Sequence, residues 1–98
     1  MKLTEVCEAL NAKRRIELKY SGRDRVVEVH AAGYTQDEKA IMRVWQVRGG
    51  SAGGDSSGWK LLRLDEVASF KILDEKSEVP RPGYRKDDPA IQRIVCQI

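Results

Sequence analysis

Ile16-Glu17-Leu18-Lys19-Tyr20-Ser21-Gly22-Arg23-Asp24-Arg25-Val26-Val27-Glu28-Val29-His30 is the stretch that decides the fold class. Ile16, Leu18 and Tyr20 alternate with Glu17 and Lys19, the period-two pattern of a strand with one wet face. Ser21 to Asp24 supplies turn formers. Alternation then resumes from Arg25 to His30, with Val27 and Val29 inward and Glu28 outward. The stretch predicts an antiparallel hairpin.

Working outward, residues 3–12 place Leu3, Val6, Cys7 and Leu10 on one helical stripe, with Glu5 and Glu8 turned away and Asn11 as a stop. Residues 40–48 are apolar on both sides: Ile41, Trp45 and Val47 fall on one, Met42 and Val44 on the other. Residues 59–64 divide Leu62 and Leu64 from Trp59, Leu61 and Arg63. Asp65 to Ala68 reads as a single turn, and Phe70 to Leu73 as a fifth short strand. The expectation is a mainly β, α+β domain: a small five-stranded Sm-like or SH3-like barrel over about residues 14–74. Residues 75–87, with Pro80 and Pro82, read as a surface linker. In residues 88–98, Asp88 is a helix N-cap, Pro89 the first helical residue, and Ile91, Ile94, Val95 and Ile98 an apolar stripe. A C-terminal helix is expected there.

The 98 residues are one domain's worth of chain, 41% hydrophobic and 34% charged, which excludes a disordered tail. Eighteen Lys and Arg against fifteen Asp and Glu leave +3, well short of a nucleic-acid arm. No apolar run approaches the roughly 18 residues that span a bilayer. Glu5 and Glu8 stand where a secretory signal would be apolar, so a cytoplasmic location without membrane attachment is expected. Cys7 and Cys96, near opposite ends, read as two separate buried thiols in a reducing compartment. His30 is the single histidine and has no partner for zinc or a nucleophile dyad. No metal, cofactor or catalytic residue is expected.

Gly49 to Gly58 holds five glycines and three serines. Asp55 stands where a phosphate loop would need its lysine, and a strand follows instead of a helix, so the segment reads as a hairpin connection. The chemistry-bearing constellation flanks it. By period-two spacing Arg43 shares a face with Trp45, and Trp59 shares one with Arg63. If the two strands are neighbours, these groups converge on a patch that stacks flat rings and pairs with phosphate, with Lys60 adding charge and Tyr20 a further ring. The competing reading makes the tryptophans core and the arginines solvated wall. Lys13, Arg14, Arg15, Lys19, Arg23 and Arg25 form a second basic concentration, read either as nucleic-acid backbone contacts or as a solvated hairpin.

The ordered set of Ile16–Tyr20, Arg25–Val29, Gly33-Tyr34, Ile41–Trp45 and Trp59–Asp65 resembles the WYL domain family over roughly residues 8 to 74. The resemblance implies an Sm-like five-stranded barrel and a ligand-sensing role in bacterial transcription regulation, with nucleotides or nucleic acid as ligands. The family's name-giving tripeptide falls at Ala40-Ile41-Met42, its common proline after the second strand at His30, and the second basic residue of its strand-four pattern at Glu66, while Arg63 matches the first. With about fifteen residues before the first strand, a stand-alone module without a helix-turn-helix is expected, working with a regulatory partner protein or by itself.

Two functions follow as expectations. One is a non-catalytic module binding an anionic, ring-bearing ligand (a nucleotide or single-stranded nucleic acid) through Arg43, Trp45, Trp59, Lys60, Arg63 and Tyr20, with weaker backbone contacts from Lys13, Arg14, Arg15, Arg23 and Arg25. The other is a protein-interaction or homodimerisation module using open strand edges and an exchanged terminal helix.

Overall fold

The computed structural model describes residues 1–50 and 57–98. A helix, α1 (Leu3–Ala12), precedes six strands: β1 (Arg14–Tyr20), β2 (Arg23–Tyr34), β3 (Ala40–Gly49), β4 (Gly58–Arg63), β5 (Val67–Lys76) and β6 (Arg93–Gln97). A single 3-10 turn, Leu64–Glu66, joins β4 to β5 where the sequence reads as one turn. Among the described residues no helix is long and apolar enough to cross a membrane.

The hairpin forms as its alternation requires, with Ile16 opposite Val27 and Leu18 opposite Arg25. Ser21 and Gly22 take the left-handed backbone that this tight turn demands. α1 starts with the Lys2 N–H donating to the Glu5 carboxylate at 2.7 Å and ends at Lys13, which adopts the left-handed conformation. Val6, Ala9 and Leu10 of α1 then join Ile16, Leu18, Val27, Val29, Met42, Val44, Leu62 and Leu64 in the main core.

The strand order is β4-β3-β2-β1-β5, all antiparallel, with β6 on β2, and the sheet does not close. β2 is the organising strand. One flank pairs with β3 throughout; the other pairs with β1 in its first half and β6 in its second. Residues 25–33 of β2 are all buried, including Glu28 and His30, which alternation assigns to solvent. Their cover is residues 77–92, a strap across the sheet face opposite α1. It anchors through Ser77 N–H to the Lys13 carbonyl (2.8 Å) at one end and Ile91, packed with Ala31, Ile41 and Ile94, at the other.

Four expectations are corrected. The five-stranded barrel is an open six-stranded sheet. The terminal helix does not form: the Asp88 carboxylate accepts the Ala90 N–H (3.0 Å) and the Ile91 N–H reaches the Asp88 carbonyl (3.0 Å), but the turn stops and β6 follows. β-branched Ile91, Ile94, Val95 and Ile98 favour strand, and the open flank of β2 offers a ladder for residues 93–97. A register shift lets Ile94 join the strap cluster while Cys96 packs against the main core. The third correction is Cys7–Cys96, which is a disulfide with Cα atoms 5.9 Å apart. β6 beside α1 brings together residues 89 positions apart, so the two cysteines are not the separate thiols expected of a reducing compartment. The expected linker shrinks as well, since β5 runs to Lys76.

Candidate functional site

Register places the tryptophans. Glu28, Trp45 and Trp59 lie in one row across β2, β3 and β4; Arg43 and Leu61 form the next, Ile41 and Arg63 the one after. Trp45 and Trp59 meet edge to face with centroids 5.3 Å apart. The face that alternation gave to Arg43, Trp45, Trp59 and Arg63 is therefore a single face. It lies under the strap, where the Arg81 guanidinium sits 5.6 Å from the Trp45 ring and the Trp59 indole N–H donates to the Pro82 carbonyl at 3.0 Å.

A cleft of about 330 Å³ opens between Arg43 and Trp59 on the sheet and Gly83, Tyr84, Arg85, Asp88, Pro89 and Ala90 on the strap. Arg43 Nε donates to Asp88 at 2.6 Å, tying one wall to the other. Burial pushes the Asp88 carboxyl up, but the Arg43 guanidinium and the Ala90 N–H outweigh it, so the group lies below its usual range and is charged at neutral pH. The Tyr84 hydroxyl donates to the Ile98 carbonyl at 2.8 Å, which fixes its ring beside the cleft. Burial, with Asp87 and Asp88 nearby, pushes that phenol up. Gly83 has φ +91° and faces the Trp59 indole nitrogen, which a Cβ would approach to 3.0 Å. Arg85 is exposed at the rim.

Behind the cleft lies a buried polar stack. The fully buried Glu28 carboxylate accepts from Arg81 Nε (2.7 Å), the Glu78 N–H (2.8 Å), Arg15 Nε (3.0 Å) and a second Arg81 nitrogen (3.2 Å). Burial pushes this carboxyl up; the hydrogen bonds from Arg81, Glu78 and Arg15 overcome that, and it lies below the ordinary value. His30, also fully buried, has its ring 4.6 Å from Trp59 and 5.3 Å from Tyr84.

The other sequence-derived residues are not gathered here. Arg63 is held by Asp65 at 2.7 and 3.2 Å, an exposed pair that raises the arginine's pKa. Lys60 alternates to the opposite face of β4 and does not line the cleft. Tyr20 ends β1, packs against the main core, donates to Glu66 at 3.3 Å and accepts the Arg63 N–H at 3.2 Å. The basic concentration is dispersed. Arg14 caps β5 carbonyls and pairs with Asp74; Arg15 binds Glu28, Glu75 and Glu78; Arg25 is buried with its guanidinium on the Tyr20 carbonyl. Lys13, Lys19 and Arg23 stay exposed. Arg48 and Arg15 hold the Glu75 carboxyl down to about 2. Most of the glycine connection, residues 51–56, lies outside the described residues.

Sequence reasoning missed Gly83, Tyr84, Arg85, Asp88, Pro89 and the burial of Glu28 and His30. The signal was Pro80-Arg81-Pro82-Gly83-Tyr84-Arg85, an Arg and Tyr run on a chain that Pro keeps extended. Compared with protein-family models, with curated proteins and with solved structures, the chain matches none.

Proposed function

We propose that this protein is a non-catalytic binding module for a small anion carrying a flat ring, of the nucleotide class, held in the cleft between β3–β4 and the strap. The observation that supports it is the union of two aromatic rings, Trp59 and Tyr84, with two guanidiniums, Arg43 and Arg85, around one opening. Its volume falls in the lower range of small-molecule sites. Asp88 already neutralises Arg43, so the anion meets Arg85 first and the ring lies against Trp59. A WYL-like sensing role is compatible with this reading and is part of the proposal.

Tryptophan fluorescence titrated with a nucleoside monophosphate at low salt tests it. Quenching is expected, with affinity about tenfold lower for the nucleoside or for inorganic phosphate alone, since one charge-assisted hydrogen bond or one stacked ring is worth roughly 1.5 kcal/mol. Arg85→Ala is expected to weaken binding similarly. No spectral change and no thermal shift up to millimolar nucleotide overturns the reading; binding only to oligonucleotides, growing with length, replaces it with a single-strand site.

The second reading, protein interaction or homo-oligomerisation, is favoured by β4, an outer strand of the sheet whose Leu61 is 41% exposed. The helix exchange expected from the sequence is not available to it, because residues 93–97 are strand. A salt-insensitive dimer in light scattering that ignores nucleotides supports this second reading.

A further inference from the structure

His30 occupies a β-bulge. Val29 pairs with Val44 and Ala31 with Arg43, so His30 is the extra residue of β2 and its ring is turned under the strap. Its two nitrogens have fixed partners. Nδ1 lies 3.1 Å from the Glu28 backbone carbonyl, which can only accept, so Nδ1 carries the proton. Nε2 lies 3.0 Å from the Arg81 backbone N–H, which can only donate, so Nε2 is the acceptor. The neutral imidazole is thus a link between β2 and the centre of the strap, directly beneath Trp59 and Tyr84.

We propose that this link is an acid-released latch: a second proton on His30 sets its Nε2–H against the Arg81 N–H, expels the strap centre from the sheet and takes apart the cleft. The release stands on the latch geometry alone; its consequence, lower ligand affinity in acid, rests on the function proposed above. Among the described residues no other group near the ring absorbs the added charge. On β2 the Glu28 carboxylate is the nearest anion, but its oxygens already take four donors from Arg15 of β1, Arg81 and Glu78. From the strap, the Arg81 guanidinium repels the imidazolium and Glu78 is occupied by Arg81 and Arg15. Tyr84 presents a neutral ring, and Asp88, further along, is held by Arg43. β4 presents the Trp59 ring, and Ile98, just past β6, bonds its N–H to the His30 carbonyl. Burial holds His30 below its ordinary 6.5, a push that the Glu28 carbonyl and carboxylate oppose only in part and that Arg81 reinforces.

The sign follows. The neutral form is the one the closed strap favours, so closure is complete above about 6.5 and weakens as pH falls below it. Between the closed-state pKa and 6.5 the opening constant rises about tenfold per pH unit, one proton being taken up.

Hydrogen exchange on the oxidised full chain between pH 7.5 and 5, corrected for intrinsic rates, tests this. Pro80 and Pro82 have no N–H, so the Arg81 and Tyr84 amides and the Trp59 indole N–H report on the strap centre. Their protection is expected to fall by up to tenfold per pH unit below 6.5, while amides of the β1–β2 ladder hold. His30→Gln, whose amide oxygen stands in for Nε2 and does not titrate, is expected to keep the strap protected with no step. Should that variant not fold, the His30 ring proton shift in the wild type is expected to share the midpoint of strap exchange. Strap protection that is flat with pH, a step surviving in His30→Gln, or a ring midpoint unlinked to exchange overturns the latch. Nucleotide affinity at pH 5 and 7.5 is the separate arm: no binding at either pH overturns the proposed function and leaves the latch standing on the exchange data.

Discussion

Replacing Glu28 with glutamine removes one charge and keeps the side chain's shape at the point where the strap is held most tightly. The carboxylate takes four donors, three of them from guanidiniums. Glutamine retains one acceptor oxygen and turns its NH2 toward an arginine. Removing one partner of a buried ion pair costs about 3–5 kcal/mol because the remaining charge is stranded. Arg15 and Arg81 are 15% and 21% exposed and keep Glu75 and Glu78 as partners, which points to the low end, about 3 kcal/mol. At roughly 4–8 °C per kcal/mol for a domain this size, the melting temperature should fall by about 15 °C. The acid response should change too. Wild-type Glu28 has a depressed pKa, so its contribution is present above 4.5 and lost as pH falls through the folded value, and Glu28→Gln lacks that component. Calorimetry of Glu28→Gln, Arg81→Met and the double variant is the assay, with a coupling above about 1 kcal/mol expected. A Glu28→Gln loss under about 1 kcal/mol, or strict additivity with Arg81→Met, refutes the reasoning.

Reducing Cys7–Cys96, or Cys7→Ser, should lower stability by about 4.5 kcal/mol on chain-entropy grounds, because the closed loop spans 89 positions; equal urea midpoints with and without reductant would contradict this. Gly33→Ala would drive a Cβ onto the Arg93 carbonyl oxygen and to 2.7 Å from Ile91, so it should cost at least about 3 kcal/mol and unprotect residues 93–97 in hydrogen exchange. Tyr84→Phe loses one hydroxyl bond to the Ile98 carbonyl, about 1 kcal/mol in a thermal melt. Asp88→Asn should cost about 2 kcal/mol yet raise anion affinity in the fluorescence titration, since it frees Arg43; weaker nucleotide binding would count against the cleft as an anion site.

What was legible in the sequence was what local periodicity controls. Alternation from Ile16 to His30 gave the hairpin, the apolar stripe of residues 3–12 gave α1, and period-two spacing put Arg43 with Trp45 and Trp59 with Arg63, which the β3–β4 register then joins on one face. The failures arose where a distant segment decides. Glu28 and His30 sit at positions that alternation assigns to solvent, and the strap, fifty residues on, covers them. Ile91, Ile94, Val95 and Ile98 fit a helical stripe, and the vacant flank of β2 draws Ile94 and Val95 into strand β6 instead. Arg63 meets Asp65 two residues away, a local pairing that diverts it from the tryptophan face. The basic run from Lys13 to Arg25 divides because alternate residues face opposite sides of the sheet, and three of its four arginines, Arg14, Arg15 and Arg25, serve internal carboxylates and carbonyls.

The sulfur bridge has a topological consequence. It makes the polypeptide from Cys7 to Cys96 a covalent ring, so a single protease nick anywhere within it, strap included, leaves one molecule of nearly unchanged mass until a reductant parts the pieces. With the α-carbons of those residues 5.9 Å apart, a short peptide splice there and a new opening at Gly22, a tight surface turn with free space around it, would give a rearranged chain order carrying the same sheet.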